Sequence, residues 1–183
     1  LAKGAFPRQL DDANKLQNVF ALRHAKNAYE LRTAMKGRQN AIVIGCGYIG
    51  LEVAASLTKA GMHVDVIEMM ERVLARVASP DISAFFATLH EDNDVGIHTG
   101  AINQEILQKD GVFSGIQLND DRIIHAELLL VGIGVLPDLG VAADAGLTIG
   151  NGIIVDEMMQ SSVADIYAIG DVALLDGAMS RIE

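Results

Sequence analysis

The sequence has one cysteine, no long apolar run and no cluster of basic residues. Cys46 stands alone, so no disulfide can form within the chain, and a reducing cytoplasm is the expected location. The longest nearly uninterrupted apolar segment, 128–136, is far shorter than the roughly 20 residues that cross a bilayer. No basic-then-apolar leader opens the chain. We therefore expect no membrane association.

Positive charge is also scarce, because 24 acidic residues outnumber 14 lysines and arginines and give a formal net charge of −10. Nucleic-acid binding needs a positive surface for the phosphates, so we expect no nucleic-acid partner. Half of the residues are hydrophobic, which suits a chain with a packed core. The chain starts at Leu1 without methionine and stops at Glu183 in mid-pattern, which leads us to expect a fragment of a longer protein.

Hydrophobic periodicity predicts strands alternating with helices. Residues 40–45 are typical of a strand buried on both faces, residues 63–68 predict a second strand, and the pattern over 49–60 predicts a helix between them. This unit is a parallel crossover of the right-handed kind. Turn signals between 101 and 126 indicate a small antiparallel meander. The predicted class is therefore α/β: a Rossmann-like βαβ three-layer domain with an antiparallel β meander.

The remaining segments extend this pattern on both sides. The first residues, up to Asn18, are interpreted as a connection. Further helices are predicted over 24–35, from Ser79 with its following proline, and over 139–145. Further strands are predicted over 95–98, 127–132, 153–156 and 166–170.

The segment Gly45-Cys-Gly-Tyr-Ile-Gly50 lies where a predicted strand ends and a helix begins. Its three glycines, Gly45, Gly47 and Gly50, suit a sharp turn, a close approach to a pyrophosphate and tight helix packing, respectively. Free backbone N–H groups at the helix start, including that of Ile49, would bind the pyrophosphate. The alternative is a tight glycine turn without a ligand.

An acid, Glu68, stands 18 residues after the last glycine of that turn, at the end of the next predicted strand. Its carboxylate can accept hydrogen bonds from both ribose hydroxyls of an adenosine and would repel a 2′-phosphate, which favours NADH over NADPH. The alternative is a solvated strand end. Tyr48 and Glu52 lie four residues apart on one helix face. Tyr48 could cover a flavin, or it could be a half-buried packing residue. Glu52 could orient the nicotinamide amide, or it could be an ordinary surface charge.

Five segments resemble the flavoprotein ferredoxin reductases of bacterial oxygenase systems, a branch of the FAD-dependent pyridine nucleotide oxidoreductases. They are residues 47–55, 71–77, 131–137, 151–156 and 166–171. The resemblance implies an NADH domain inserted within an FAD domain. The implied division is an FAD-domain tail at 1–8, an NADH-binding domain at 9–132 and a returning FAD-domain segment at 133–183.

The resemblance also assigns roles to individual residues. It implies that Asp171, after Gly170, bonds the ribityl chain of FAD, that Arg23 contacts FAD, and that Gly132 lies close to the nicotinamide. Arg72 and Arg76 match arginines of the family, but we interpret them as solvated helix charges. Two departures stand out: Lys3 replaces a usual threonine, and Cys46 replaces a usual glycine and is interpreted as a packing residue.

The implied activity is electron transfer from NADH through FAD to a small [2Fe-2S] ferredoxin-type protein, with Tyr48 and Glu52 as the catalytic residues. A disulfide reductase or NADH oxidase of the same fold stays open, as does a nucleotide-binding module without turnover. The family's first FAD glycine motif is not in the sequence, so we expect the chain by itself to be inactive. The five histidines form no evident metal or catalytic cluster; His24 is expected at a helix start and the others at surface or strand-edge positions.

Overall fold

A computed structural model describes residues 4–10, 13 and 15–177 of the chain. These residues form two compact units, Pro7–Gly134 and a smaller one made of residues 4–6 and 135–177. A 3₁₀ turn occupies Gly170–Val172. The strands and helices are, in chain order, β1 (Ala5–Pro7), β2 (Val19–Phe20), α1 (Ala25–Ala34), β3 (Asn40–Ile44), α2 (Tyr48–Lys59), β4 (His63–Ile67), α3 (Pro80–Glu91), β5 (Val95–His98), β6 (Asn103–Lys109), β7 (Val112–Leu118), β8 (Ile123–His125), β9 (Leu128–Val131), β10 (Val135–Pro137), α4 (Gly140–Asp144), β11 (Ile153–Val155) and β12 (Ala173–Leu175).

The larger unit is built on a five-stranded parallel sheet with the order β2-β9-β3-β4-β5. Successive side chains of a strand point to opposite faces, so the apolar residues of its central strands supply two cores. One face, which includes Val43, Val66 and Leu130, packs with apolar residues of α1, α2 and α3. The other face, which includes Ile44 and Leu129, packs with apolar residues of the β6-β7-β8 meander. The predicted three-layer α/β class with an antiparallel meander is confirmed.

Local signals place the helices of this unit where the sequence predicted them. Ser79 immediately precedes α3 as its N-cap. Its hydroxyl accepts a hydrogen bond from the Ile82 N–H at 3.4 Å. Pro80 is the first residue of α3, a position where its missing N–H costs nothing. Gly61 follows α2 with a φ of +91°, the left-handed conformation that ends many helices.

The smaller unit contains the strand pairs β1–β10 and the parallel β11–β12. Its core is small and consists of Ala142, Leu147, Ile153, Val155, Ala168 and Ala173. Among the residues that the structure describes, no helix is long and apolar enough to span a membrane.

Two sequence predictions about these elements are wrong. Residues 166–170 do not form a strand: Tyr167 makes only an isolated bridge to Gln160, and Ile169 is 74% exposed. Ile166, Tyr167 and Ile169 remain at the surface of their unit, and Ala168 is buried in its core. The N-terminal segment is also more than a connection, because Ala5–Pro7 forms β1, which pairs with β10.

Candidate dinucleotide-binding site

The three glycines of the turn between β3 and α2 differ in their surroundings. Gly45 has a φ of +101°, and a Cβ there would lie 2.5 Å from the carbonyl oxygen of Gly132. A Cβ on Gly50 would overlap the Gly45 carbonyl oxygen, because α2 begins directly against the end of β3. A Cβ on Gly47 would meet nothing within 4 Å. Two of the glycines are therefore required for packing, and the third borders open space.

The start of α2 contains four backbone N–H groups for which no acceptor is found among the described residues. Leu51 is the first residue of the helix whose N–H has a backbone acceptor, the Gly47 carbonyl at 3.1 Å. Among the described residues no acceptor is found for the N–H groups of Gly47, Tyr48, Ile49 and Gly50, and no acidic side chain lies in the first turn. Unpaired N–H groups and the positive end of the helix dipole together form a site for an anion such as a pyrophosphate.

The carboxylate of Glu68 lies beside this turn, directly after β4. One of its oxygens accepts a hydrogen bond from the Cys46 N–H at 2.8 Å, and the other accepts one from the Met70 N–H at 2.9 Å. An ionised carboxylate offers about four acceptor sites, so each oxygen can still accept from a hydroxyl group. Glu68 thus joins the glycine turn to the chain after β4 and remains able to bind two neighbouring hydroxyls.

The thiol of Cys46 is enclosed by the helix-side core of the sheet and is 1% exposed. Burial, followed by the nearby Glu68 carboxylate, raises the pKa of Cys46 to about 12. Thiolate is the reactive form of cysteine, and it is absent at neutral pH with such a pKa. The interpretation of Cys46 as a packing residue agrees with this environment.

The segment that follows Glu68 is a folded loop and not a helix, so the interpretation of Arg72 as a solvated helix charge is wrong. Its guanidinium donates to the Ala78 carbonyl at 2.7 Å, the Ser83 hydroxyl at 2.6 Å and the Ala75 carbonyl at 3.0 Å. Within this loop Leu74 is buried with a φ of +52°, a conformation that costs a residue with a Cβ about 1–2 kcal/mol. The Leu74 N–H donates to the Cys46 carbonyl at 2.9 Å.

No sequence pattern marks Leu74 as left-handed, because that conformation favours glycine and asparagine. The sequence does mark this loop, because residues 71–77 resemble a family motif. The motif does not show which of its two arginines donates hydrogen bonds within the loop. The loop and the glycine turn therefore meet through a contact that only the structure reveals.

The other predicted residues of the larger unit lie near the same turn, with the exception of Arg23, which precedes α1. Gly132 follows β9 and donates its N–H to the Ile44 carbonyl at 2.8 Å, next to Gly45. Tyr48 and Glu52 lie one turn apart at the start of α2, and both are exposed, Tyr48 to 60%. Arg23 precedes α1 and is exposed; its backbone N–H donates to the Asn27 side chain.

Gly170 and Asp171 belong to the smaller unit, where they begin the 3₁₀ turn. Gly170 has a φ of +70°, and the Asp171 side chain is exposed. Both residues are therefore accessible within their unit, at the end of the segment that was predicted to be a strand.

The histidines are not all surface residues. His24 begins α1 as predicted, but His90 on α3 is 8% exposed, and burial lowers its pKa. His98 lies 2.6 Å from the Asp65 carboxylate through Nε2, a contact between β5 and β4 that the sequence did not suggest. No group of three or more potential metal ligands occurs among the residues the structure describes.

Comparison with known proteins identifies the family to which the chain is similar. The model of the pyridine nucleotide-disulphide oxidoreductase family matches residues 1–183. Rhodocoxin reductase of Rhodococcus erythropolis is 40% identical over 174 residues, which cover 94% of this chain and 41% of that protein. Rubredoxin-NAD(+) reductase of Pseudomonas putida is 37% identical over 188 residues, which cover 100% of this chain and 49% of that protein.

The solved structures include a ferredoxin reductase of the CYP199A2 system from Rhodopseudomonas palustris, which superposes with a TM-score of 0.92 at 39% identity. The match covers 100% of this chain and 46% of that one. The chain thus spans less than half the length of these relatives. They confirm the resemblance inferred from the sequence motifs. The chain belongs to the pyridine nucleotide-disulphide oxidoreductase family.

Proposed function

We propose that this chain is the NADH-binding part of a flavoprotein ferredoxin reductase. The observation that carries the proposal is the row of four unpaired N–H groups at the start of α2 beside the Glu68 carboxylate. A dinucleotide fits both features, because its pyrophosphate would bind the N–H groups and its adenosine ribose would donate to Glu68. The open space next to Gly47 leaves room for the pyrophosphate.

The proposed nicotinamide end lies at the other predicted residues of the turn. Gly132 lies beside Gly45. Because it has no side chain, the nicotinamide would be able to approach its backbone. The exposed carboxylate of Glu52 would accept a hydrogen bond from the carboxamide, and the exposed ring of Tyr48 would cover the flavin until NADH arrives. In this proposal both residues orient the reactants, and neither transfers a proton.

We further propose that FAD is bound in the longer protein and that Arg23, Gly170 and Asp171 contact it. All three residues are exposed in their respective units, so the side chains of Arg23 and Asp171 are accessible to such a ligand. The flavin supplies the redox chemistry that the side chains lack, accepting hydride and releasing single electrons. Because the chain covers less than half of its relatives, we expect no NADH turnover from the chain alone.

The division of the chain into two units supports a revised form of the predicted domains. We propose that Pro7–Gly134 is the NADH-binding domain and that the smaller unit belongs to the FAD domain. Both boundaries of the NADH-binding domain differ by two residues from those expected from the sequence. All residues proposed to bind NADH lie in the larger unit.

The electron acceptor is proposed from the relatives. One relative is named a ferredoxin reductase and another a rubredoxin reductase. We therefore propose that the acceptor is a small iron–sulfur or iron protein, and more specifically a [2Fe-2S] ferredoxin. The motif matches at 71–77 and 151–156, together with relatives named as ferredoxin and rubredoxin reductases, support this acceptor over the disulfide of a disulfide reductase. We keep the cytoplasm as the proposed location because no internal disulfide is possible.

Titration calorimetry of the chain with NADH and NADPH tests the nucleotide assignment. We expect NADPH to bind roughly 100-fold more weakly, because its 2′-phosphate would lie against the Glu68 carboxylate. Replacing Glu68→Gln should weaken NADH binding about 10-fold and reduce the preference for NADH. Glu71→Gln is the matched control, since it removes the same charge from an exposed residue three positions away and should leave both affinities unchanged. Equal binding of NADH and NADPH by the parent chain would contradict the assignment.

A further inference from the structure

Arg72 lies close in sequence to the proposed ribose-binding acid but points its guanidinium into its own loop. Three of its hydrogen bonds end on groups of the loop and of α3: the carbonyls of Ala75 and Ala78 and the hydroxyl of Ser83. Ser83 is 2% exposed, so its hydroxyl has little access to water. A planar guanidinium can serve three acceptors in fixed directions, which an ammonium group on a flexible stem cannot do equally well.

The loop that Arg72 closes has a conformation that needs support. Leu74 is buried and left-handed, and both Val77 and Ala78 donate their N–H groups to its carbonyl. The backbone of Ala78 therefore joins Arg72 to Leu74, since its carbonyl accepts from the Arg72 guanidinium and its N–H donates to the Leu74 carbonyl. Removing the guanidinium would release the Ala75 and Ala78 carbonyls and allow Leu74 to return to a more favourable φ.

The same loop holds the glycine turn. The Leu74 N–H donates to the Cys46 carbonyl, and the Glu68 carboxylate accepts from the Cys46 N–H. Both backbone polar groups of Cys46 are therefore hydrogen-bonded to residues that follow β4. The next residue along, Gly47, is the first of the four with an unpaired N–H group. A change in the loop at Leu74 would therefore shift the groups that are proposed to bind the pyrophosphate.

We propose that Arg72 is a positioning residue for the dinucleotide turn, acting through Leu74 and Cys46 and not as a ligand of the nucleotide. This inference rests on the proposed function, because the turn matters to a ligand only if it binds one. A direct phosphate ligand would act through its charge. A positioning residue acts through the shape of its guanidinium, so a lysine should not replace it.

The test combines NADH affinity with amide hydrogen exchange on the full chain, at a temperature where circular dichroism shows each variant folded. We expect Arg72→Lys and Arg72→Gln each to weaken NADH binding about 10-fold and to speed exchange of the Leu74 amide. Ser83→Ala, which removes one acceptor and no charge, should give a smaller change in the same direction. Arg76→Lys is the matched control: it makes the same replacement in the same loop, at an exposed arginine, and should leave Leu74 exchange as in the parent.

Several results would overturn the proposal. Normal NADH affinity in Arg72→Lys would show that charge suffices or that Arg72 has no role. Weaker binding without faster Leu74 exchange would identify a direct ligand, and faster exchange with normal affinity would limit Arg72 to loop stability. A parent chain that does not bind NADH would contradict the proposed function as well, and it is recognised before any variant is measured.

Discussion

At the scale of single residues, two glycines of one motif have separable roles. We expect Gly47→Ala to fold normally, because its Cβ would enter open space, but to weaken NADH binding about 10-fold or more, because that space is where the pyrophosphate would lie. Gly50→Ala should instead lose more than about 3 kcal/mol of unfolding free energy, since its Cβ would overlap a backbone oxygen.

Urea unfolding and NADH titration of the two variants distinguish these outcomes. Each variant is the control for the other, because both add one methyl group within the same turn. A stable Gly50→Ala variant would contradict the packing role, and a Gly47→Ala variant with unchanged NADH affinity would contradict the ligand role.

The residue-level site was only partly predictable from the sequence. The glycines and Glu68 could be recognised because a dinucleotide turn requires those residue types at a fixed spacing after a strand. The Arg72 contacts could not, because they depend on a left-handed leucine in an irregular loop, for which no residue pattern exists. His98 and Asp65 were missed for a related reason: their contact joins two strands whose adjacency is set by the sheet order.

At the scale of elements, α3 contains a buried titratable group. His90 is enclosed near the end of this helix, and burial lowers its pKa from 6.5, so the folded chain binds a proton there less readily than the unfolded chain. The stability that neutral His90 provides is complete above pH 6.5 and is lost as the pH falls through the folded-state pKa. We expect the unfolding free energy to fall on acidification through this range.

A His90→Gln variant should reduce this pH dependence. Thermal unfolding of parent and variant between pH 7.5 and 5 measures it, and His63→Gln, which alters an exposed histidine of β4, should keep the slope of the parent. An unchanged slope in His90→Gln would mean that other groups cause the loss of stability.

The prediction of elements succeeded where burial and hydrophobic pattern agree. The strands β3 and β9 have apolar residues on both faces, where helices cover one face and the meander covers the other. The segment 166–170 has the same apolar composition but lacks a neighbouring strand in its unit, so composition alone misled the prediction. A strand requires a hydrogen-bonding neighbour, and a single sequence does not show whether one exists.

At the scale of the whole molecule, all proposed NADH-binding residues lie in Pro7–Gly134. We expect a protein made of these residues alone to unfold cooperatively and to bind NADH with an affinity within about threefold of the full chain, because a compact unit with its own core can fold independently. Calorimetry with NADH and urea unfolding of the two proteins provide the comparison.

A matched deletion strengthens that test. Residues 135–183 expressed alone should not bind NADH, because they contain neither the turn nor Glu68. Loss of NADH binding in residues 7–134, with folding retained, would show that the smaller unit contributes to the site and would contradict the proposed division.

At position 46 the sequence resemblance led us to expect glycine, and the backbone contacts of Cys46 explain why a cysteine also fits. Cys46 serves the turn only through its N–H and its carbonyl, which every amino acid except proline offers. Its side chain points into the core of the sheet and has no partner to recognise. The position therefore requires a backbone N–H and a side chain that fits this core, and it does not require a thiol.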